Sequence, residues 1–336
     1  MLKDAMAGFE LYQPGDIGTA LDLLDRYGTS GWALAGGYDS LDWFKDRAKS
    51  PEAVVDLQRI AELRGIREAA DGGLEIGSMT TLAEIAAHES VRERFALLAD
   101  AAGQVASPQI RNAGTIGGNV CQDTRCWYYR GGVKCYRAGG NTCYASAPDA
   151  MNREHAIFGA SRCVAVSPSD TAPALVALDA EMIVRSVGEE RVIAAGDFFM
   201  EPAVDITRMT VLKPGELLVG IRLPARWASA DFYFEKVADR KSWDFALLSI
   251  AAAFRSSGSA VEDARVVCGA VQCVPRRLHD VERRVRGETR TEAVAEAAAE
   301  LATRGAEPLA YNHFKIPLMQ NLVKRAIRGA PAEPTV

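Results

Sequence analysis

The chain has 336 residues, of which 48% are hydrophobic and 25% are charged, so it is long enough to form two or three cores. Its net charge of −5, with basic residues scattered apart from a small group within residues 125–137, argues against a nucleic-acid partner. Its apolar stretches are too short to span a membrane and the first residues carry no export signal. We therefore expect no membrane insertion and a cytoplasmic location, unless a partner subunit carries the folded chain elsewhere.

The first part of the chain alternates predicted helices and strands. Helices are predicted at residues 16–27 and about 91–105, and strands at residues 32–35, 53–57 and 74–79. Thr81 and Glu84 form a capping-box pattern that opens a further helix. A glycine-rich segment at 114–119 then leads into residues 121–163, which show neither helical nor strand periodicity. A loop of that length inside a compact domain is improbable unless a bound group orders it.

The second part reads as strands followed by helices. A helix is predicted at residues 172–178, strands at 181–186, 191–195, 217–223, 232–237, 247–254 and 264–271, and helices at 276–286, 291–304 and 313–328. A plausible linker at 224–229 divides the chain into predicted domains 1–228 and 229–336. The pattern predicts an α+β protein.

Five of the seven cysteines fall within one 43-residue window: Cys121, Cys126, Cys135, Cys143 and Cys163. An odd number of cysteines in a chain with no export signal argues against a disulfide framework, and the clustering indicates a metal. The last four are separated by eight, seven and nineteen residues, without the close pairs typical of structural zinc. Irregular spacing suits an iron–sulfur cluster, whose negative charge the basic residues at 125–137 would balance. Spacing alone leaves the choice of four ligands among the five open, and leaves thiols without a metal as the alternative.

Two Gly-Gly loops, at residues 34–41 and 114–119, each follow an apolar segment. Paired glycines let the backbone turn and present successive N–H groups to an anion, and two such loops can close on a pyrophosphate from two sides. Neither is a GxGxxG motif that opens a helix, so a Rossmann dinucleotide site is not supported. A plain turn is the alternative for each loop taken alone.

Four histidines, at positions 88, 155, 279 and 313, are interpreted as surface or capping residues. No nucleophile-elbow, HExxH, P-loop or paired-carboxylate pattern occurs. We therefore predict no catalytic residue for an organic substrate on this chain.

The strings Ala35-Gly36-Gly37, QIRNAGTIGGN at 109–119 and SPSD at 167–170 resemble the medium, flavin-binding subunits of the xanthine oxidase (molybdenum hydroxylase) family. The likeness runs nearly end to end. It implies a vanillyl-alcohol-oxidase-type (PCMH-type) FAD-binding domain, followed by a smaller α+β domain of the CO dehydrogenase flavoprotein type. The cysteine window resembles the insertion of one branch, which includes the beta subunit of 4-hydroxybenzoyl-CoA reductase and the flavin subunit of bacterial aldehyde oxidoreductases.

The resemblance implies two sets of cofactor-binding residues. The expected FAD contacts are Ala35, Gly36, Gly37, Tyr38, Asp39, Ser40, Thr115, Gly117, Gly118, Asn119, Asp170 and Lys236. The expected [4Fe-4S] ligands are Cys126, Cys135, Cys143 and Cys163, whereas Cys121 matches a position that need not be cysteine. Tyr38 departs from the family pattern, which has a small residue or a histidine after the glycines, so its expected contact to the cofactor is through the backbone nest.

The resemblance also implies an electron-transfer role. A large molybdopterin-binding subunit would handle the organic substrate, a small [2Fe-2S] subunit would relay electrons, and FAD on this chain would exchange them with an external acceptor or donor. Two alternatives remain at this level: a self-contained flavin oxidase of the same FAD fold, and a metal-binding scaffold without turnover. The short C-terminal domain and the cysteine insertion argue against the first, and a flavin absorption spectrum tests the second.

Overall fold

The computed structural model describes residues 6–329, which form three β-sheets flanked by helices, as an α+β protein. The outermost parts of the two predicted domains, residues 1–5 and 330–336, lie outside the described residues. Within the described range no helix combines the length and the apolarity that crossing a membrane requires.

The first unit is a three-stranded parallel sheet of order β1–β3–β2 that carries two helices. Its elements are β1 Glu10–Tyr12, α1 Ile17–Tyr27, β2 Gly31–Leu34, α2 Tyr38–Lys45 and β3 Ala53–Asp56. Helix α1 begins where the Asp16 carboxylate accepts the backbone N–H of Thr19 at 2.8 Å. Both α2 and the loop before it follow directly from β2, so the first Gly-Gly pair lies at the end of a strand.

The second unit is a five-stranded antiparallel sheet of order β4–β5–β8–β6–β7. Its elements are β4 Ile66–Glu68, β5 Leu74–Gly77, α3 Leu82–Ala87, α4 Glu89–Arg94, α5 Ala96–Gly103, α6 Pro108–Ala113, α7 Ile116–Val120, α8 Trp127–Arg130, α9 Thr171–Ala177, β6 Glu181–Ser186, β7 Glu189–Ala194, α10 Ala195–Phe198 and β8 Leu217–Leu223. The capping box of Thr81 and Glu84 is confirmed. The single helix predicted over 91–105 is wrong, because the chain turns at Phe95 (φ −137°, ψ 46°) to bury its ring completely.

The third unit is a four-stranded antiparallel sheet of order β12–β11–β10–β9 covered by three helices. Its elements are β9 Asp231–Val237, β10 Leu248–Ser257, β11 Ala260–Gly269, β12 Arg276–Arg277, α11 His279–Val285, α12 Glu292–Ala302 and α13 Lys315–Arg328. Strand β10 lies between two cores: Ala251 and Ala253 face the core of the second unit, and Ile250 and Phe254 face the three helices. Helix α11 begins three residues later than predicted because residues 276–277 pair with β11 instead. The predicted boundary at residue 228 falls between β8 and β9.

The cysteine window, residues 121–163, has only α8 and short 3₁₀ turns. It is held from two sides. Tyr129 and Cys135 join a small core with Trp43 of the first unit, while Ile157 and Phe158 join the core of the third. The buried side-chain nitrogen of Lys315 strengthens the second attachment, since it lies within hydrogen-bond distance of the carbonyls of residues 154, 155 and 270, at 3.0, 3.0 and 2.7 Å. The insertion therefore joins the first unit to the third.

Candidate functional site

Both Gly-Gly loops open onto one cavity of about 290 Å³, here named the glycine-loop cavity. Ten of the twelve residues predicted to contact FAD lie in its wall: Ala35, Gly36, Gly37, Tyr38, Asp39, Ser40, Thr115, Gly118, Asn119 and Asp170. The structure does not bring Gly117 and Lys236 to that wall. The cavity thus unites residues that lie about 80 to 200 positions apart in the sequence.

Glycine at position 36 is required by the close approach of the two loops. A Cβ atom there would lie 2.4 Å from the carbonyl oxygen of Ala113 and 2.9 Å from the Cα of Gly114. Both are backbone atoms, which no side-chain rotation can move aside. The loops therefore meet backbone to backbone, and their glycines together form the floor of the cavity.

The first loop ends at the N-terminus of α2. Gly37 is the N-cap residue, with φ 85°, a left-handed conformation that glycine adopts without strain. No side chain caps α2, so the N–H groups of its first turn remain for an external anion. The positive end of the helix dipole favours a phosphate or pyrophosphate at this point.

The second loop is itself the start of a helix, α7, whose N-cap is Thr115. The Thr115 hydroxyl accepts the N–H of Gly118 at 3.1 Å. Gly117 faces away from the cavity: its N–H donates to the Ser78 carbonyl at 2.8 Å, and a Cβ there would lie 2.8 Å from the same oxygen. Position 117 therefore needs glycine for packing against Ser78, the residue that follows β5.

Asn119 and Asp170 are the polar residues of the rear wall. The side-chain oxygen of Asn119 accepts the hydroxyls of Ser169 and Thr171, each at 2.6 Å, which joins the second loop to α9. Asp170 forms a buried ion pair with Lys236 at 2.6 Å, each side chain 6% exposed. Lys236 also donates to the carbonyls of residues 104 and 244, so it supports the wall from behind.

A second cavity of about 360 Å³, the adjoining cavity, shares part of its wall with the first, including Arg125, Asp170 and Trp243. Ala106 and Trp243 both have positive φ, 43° and 54°, and the N–H of Trp243 donates to the Ala106 carbonyl at 2.7 Å. Positive φ is costly for residues with a Cβ and concentrates at functional sites. The strained pair holds the exposed Trp243 indole where the two cavities meet.

Basic residues of the insertion form ion pairs with α2, the helix that follows the first Gly-Gly pair. Arg130 forms an ion pair with Asp39 and lies over the Trp43 ring, 3.7 Å from its centroid. Arg125 reaches Asp39 at 3.6 Å and Asp42 at 3.3 Å. These contacts fix the insertion against α2, so the two predicted cofactor sites are neighbours.

All four cysteines predicted to bind a cluster line one small cavity, here named the cysteine pocket: Cys126, Cys135, Cys143 and Cys163. Cys126 also lies in the wall of the adjoining cavity. Burial raises the pKa of the Cys126 thiol to about 11 and also raises that of Cys163. A metal bound here would therefore displace protons from thiols as it binds.

The remaining cysteines lie elsewhere. Cys121 is in the wall of the glycine-loop cavity and not in the cysteine pocket, and Cys268 and Cys273 are buried in the third unit. Within residues 6–329 no three His, Cys, Asp or Glu side chains converge closely enough to hold a single ion. A four-iron cluster does not need such convergence, because each thiolate binds a different iron.

His155 was interpreted from the sequence as a surface or capping residue, and this is wrong. It is buried, and its Nε2 lies 3.3 Å from the Cys126 sulfur. Burial and the nearby Lys315 lower the pKa of His155 to about 4, so its ring is neutral at pH 7. Its position between Cys143 and Cys163 was the available signal, because a histidine among clustered cysteines lies near them once the segment is folded.

Two family models match the sequence. Residues 7–226 match the FAD binding domain in molybdopterin dehydrogenase, and residues 233–330 match the CO dehydrogenase flavoprotein C-terminal domain. These matches confirm the predicted pair of domain types.

Relatives and solved structures agree with the family models. The chain is 34% identical to the FAD-binding subunit of an aldehyde oxidoreductase (PaoB) from Escherichia coli strain K12, over 89% of this chain and 91% of that one. It is 30% identical to the carbon monoxide dehydrogenase medium chain of Hydrogenophaga pseudoflava, over 96% of both chains. A solved structure of carbon monoxide dehydrogenase from the same organism, lacking the Mo-pyranopterin moiety, matches with a TM-score of 0.77 at 29% identity, covering 97% of this chain and 98% of that one.

Proposed function

Because the chain belongs to the family of FAD-binding medium subunits of molybdenum hydroxylases, and so is an oxidoreductase subunit, we propose that it carries both FAD and a [4Fe-4S] cluster and transfers electrons within a heteromeric enzyme. The observation that carries the proposal is the cysteine pocket. Four cysteines spread over 38 residues line one small cavity, and one of them, Cys126, also borders the adjoining cavity, one of the two cavities where a flavin would bind.

The residues present fit FAD. The uncapped N-terminus of α2 and the glycine floor suit a pyrophosphate, and the two connected cavities provide room for a long ligand with two ring systems. FAD supplies exchange between two-electron and one-electron transfer. In this arrangement Gly36 and Gly37 hold the phosphates through the backbone, and Asp170 is held in place by Lys236.

The residues present also fit a [4Fe-4S] cluster, which supplies one-electron transfer. Four sulfur donors line the pocket, and Arg137 in the same wall provides a buried positive charge against the negative cluster. The buried Nε of Arg137 and Nδ1 of His155 have no hydrogen-bond partner among residues 6–329. The Arg137 Nε–H is a donor and favours an acceptor atom nearby, since an unsatisfied buried polar group costs about 1–3 kcal/mol.

The proposed partners are a large molybdopterin-binding subunit, a small [2Fe-2S] subunit and an external electron acceptor or donor. Support comes from the relatives, which are a FAD-binding subunit and a medium chain of multi-chain oxidoreductases. We expect the chain to purify with two other subunits.

The experiment that tests the cluster compares five single Cys→Ser variants, prepared without oxygen, by iron content and by low-temperature EPR after reduction. Substituting any of the four pocket cysteines, Cys126, Cys135, Cys143 and Cys163, should remove or degrade the reduced-cluster signal while FAD stays bound. Cys121→Ser is the matched control. Residue 121 lies in the same window but outside the cysteine pocket, so both cofactors should remain in this variant.

Two results contradict the assignment. One is loss of the cluster in Cys121→Ser with retention in Cys163→Ser. The other is wild-type protein that contains zinc and no iron after anaerobic preparation, which removes the electron-transfer role of the insertion. A preparation that contains no flavin contradicts the proposal that the chain carries FAD, and favours a metal-binding scaffold without turnover.

A further inference from the structure

Arg137 stands out among the side chains of the cysteine pocket because it is charged and almost fully enclosed. Its side chain is 1% exposed, although its neighbours Ala138 and Gly139 are at the surface. A guanidinium keeps its charge in any protein environment, so this position holds a permanent buried cation. Burying an ion is costly unless oppositely charged groups surround it.

The guanidinium reaches both sides of the insertion. It lies in the wall of the cysteine pocket together with Cys163, and it donates to the sulfur of Cys273, at 3.4 Å, in the third unit. A further N–H group donates to the carbonyl of Arg208 at 3.5 Å. The cation therefore lies in the same pocket wall as the proposed cluster ligands and is fixed in place by two anchors outside the insertion.

The only carboxylate that pairs with Arg137 within residues 6–329 is Asp123, 3.6 Å away. Asp123 is shared: Lys49 lies 3.9 Å from it, and the Tyr129 hydroxyl donates to it at 3.3 Å. Two cations thus face one carboxylate, which leaves a positive charge beside the cysteine pocket. Asp123 is also in the wall of the glycine-loop cavity, so this ion pair runs from one proposed cofactor site to the other.

We propose that Arg137 is a positioning residue that raises the reduction potential of the cluster and, through Asp123, couples the cluster to the flavin cavity. This inference rests on the proposed function. Reduction adds one negative charge to a cluster that is already negative, and a buried cation in the wall of the same pocket stabilises that added charge. The nearby carboxylate opposes the effect, so the two side chains set the potential together.

The test is an EPR-monitored redox titration of the anaerobically prepared complex, with iron and flavin content measured for every variant. Arg137→Gln removes the charge and keeps a side-chain amide, and the cluster potential should become more negative. Arg137→Lys restores the charge and should recover most of that shift. Asp123→Asn removes the opposing charge and should move the potential in the positive direction.

Arg162→Gln is the matched control, because Arg162 is adjacent to Cys163 in the sequence but exposed, and solvent screens its charge. It should leave the potential at the wild-type value. Arg137→Gln with full iron content and an unchanged potential overturns the inference. If that variant loses the cluster, the Asp123→Asn titration decides, and an unshifted potential there also overturns it. Wild-type protein that contains no iron contradicts the proposed function. This result is distinct from a failure of the inference about Arg137, because it is obtained before any variant is compared.

Discussion

Gly36→Ala tests whether FAD is held where the two Gly-Gly loops meet. The new Cβ would lie 2.4 Å from the Ala113 carbonyl oxygen, whereas ordinary contact begins at 3.4 Å, so the loops must move apart by about 1.0 Å. Overpacking of this kind costs about 1–3 kcal/mol. If the cost falls on the cofactor-bound state, the Kd for FAD rises roughly fivefold to 150-fold.

The assay is a titration of flavin-free protein with FAD, followed by flavin fluorescence, together with the melting temperature of the flavin-free protein. Gly196→Ala is the control, since a Cβ at that exposed position in α10 meets no atom within 4 Å. Gly36→Ala with a Kd within a factor of two of the wild type would refute the reasoning. A lower melting temperature with unchanged affinity would refute it as well, because the close approach would then matter to the fold and not to the cofactor.

Two further predictions concern buried lysines. Lys236→Met leaves the Asp170 carboxylate buried and unpaired, and should lower the free energy of unfolding by about 3–5 kcal/mol in urea titrations. The double variant Lys236→Met/Asp170→Asn should lose less. A Lys236→Met variant as stable as the wild type would contradict this prediction. Burial lowers the pKa of Lys315 to about 7, below its usual 10.5, so between these pH values the unfolded chain binds a proton that the folded chain does not. The free energy of unfolding, measured by urea titration, should therefore rise with pH from about 7 to 10.5 in the wild type and less steeply in Lys315→Met. The same pH dependence of this free energy in both proteins would count against the prediction.

Several features followed from the sequence because their physical causes are local. The helix predicted at residues 16–27, the capping box of Thr81 and Glu84 and the strand at residues 181–186 depend on residues within a few positions of one another, and the structure confirms them. The family followed from short strings at the two glycine loops, whose backbone geometry tolerates few other residues. The clustering of five cysteines likewise indicated a metal without knowledge of their spatial arrangement.

Tertiary structure alone decided which side chains meet. Three features depend on what packs against a residue from distant parts of the chain: the turn at Phe95, the burial of His155 against Cys126 and the packing of Gly117 against Ser78. The same holds for Arg137, whose sulfur partner Cys273 is 136 positions away in the sequence. Burial, ion pairing and close approach are properties of the packed chain, because they arise only when separated segments exclude water between them.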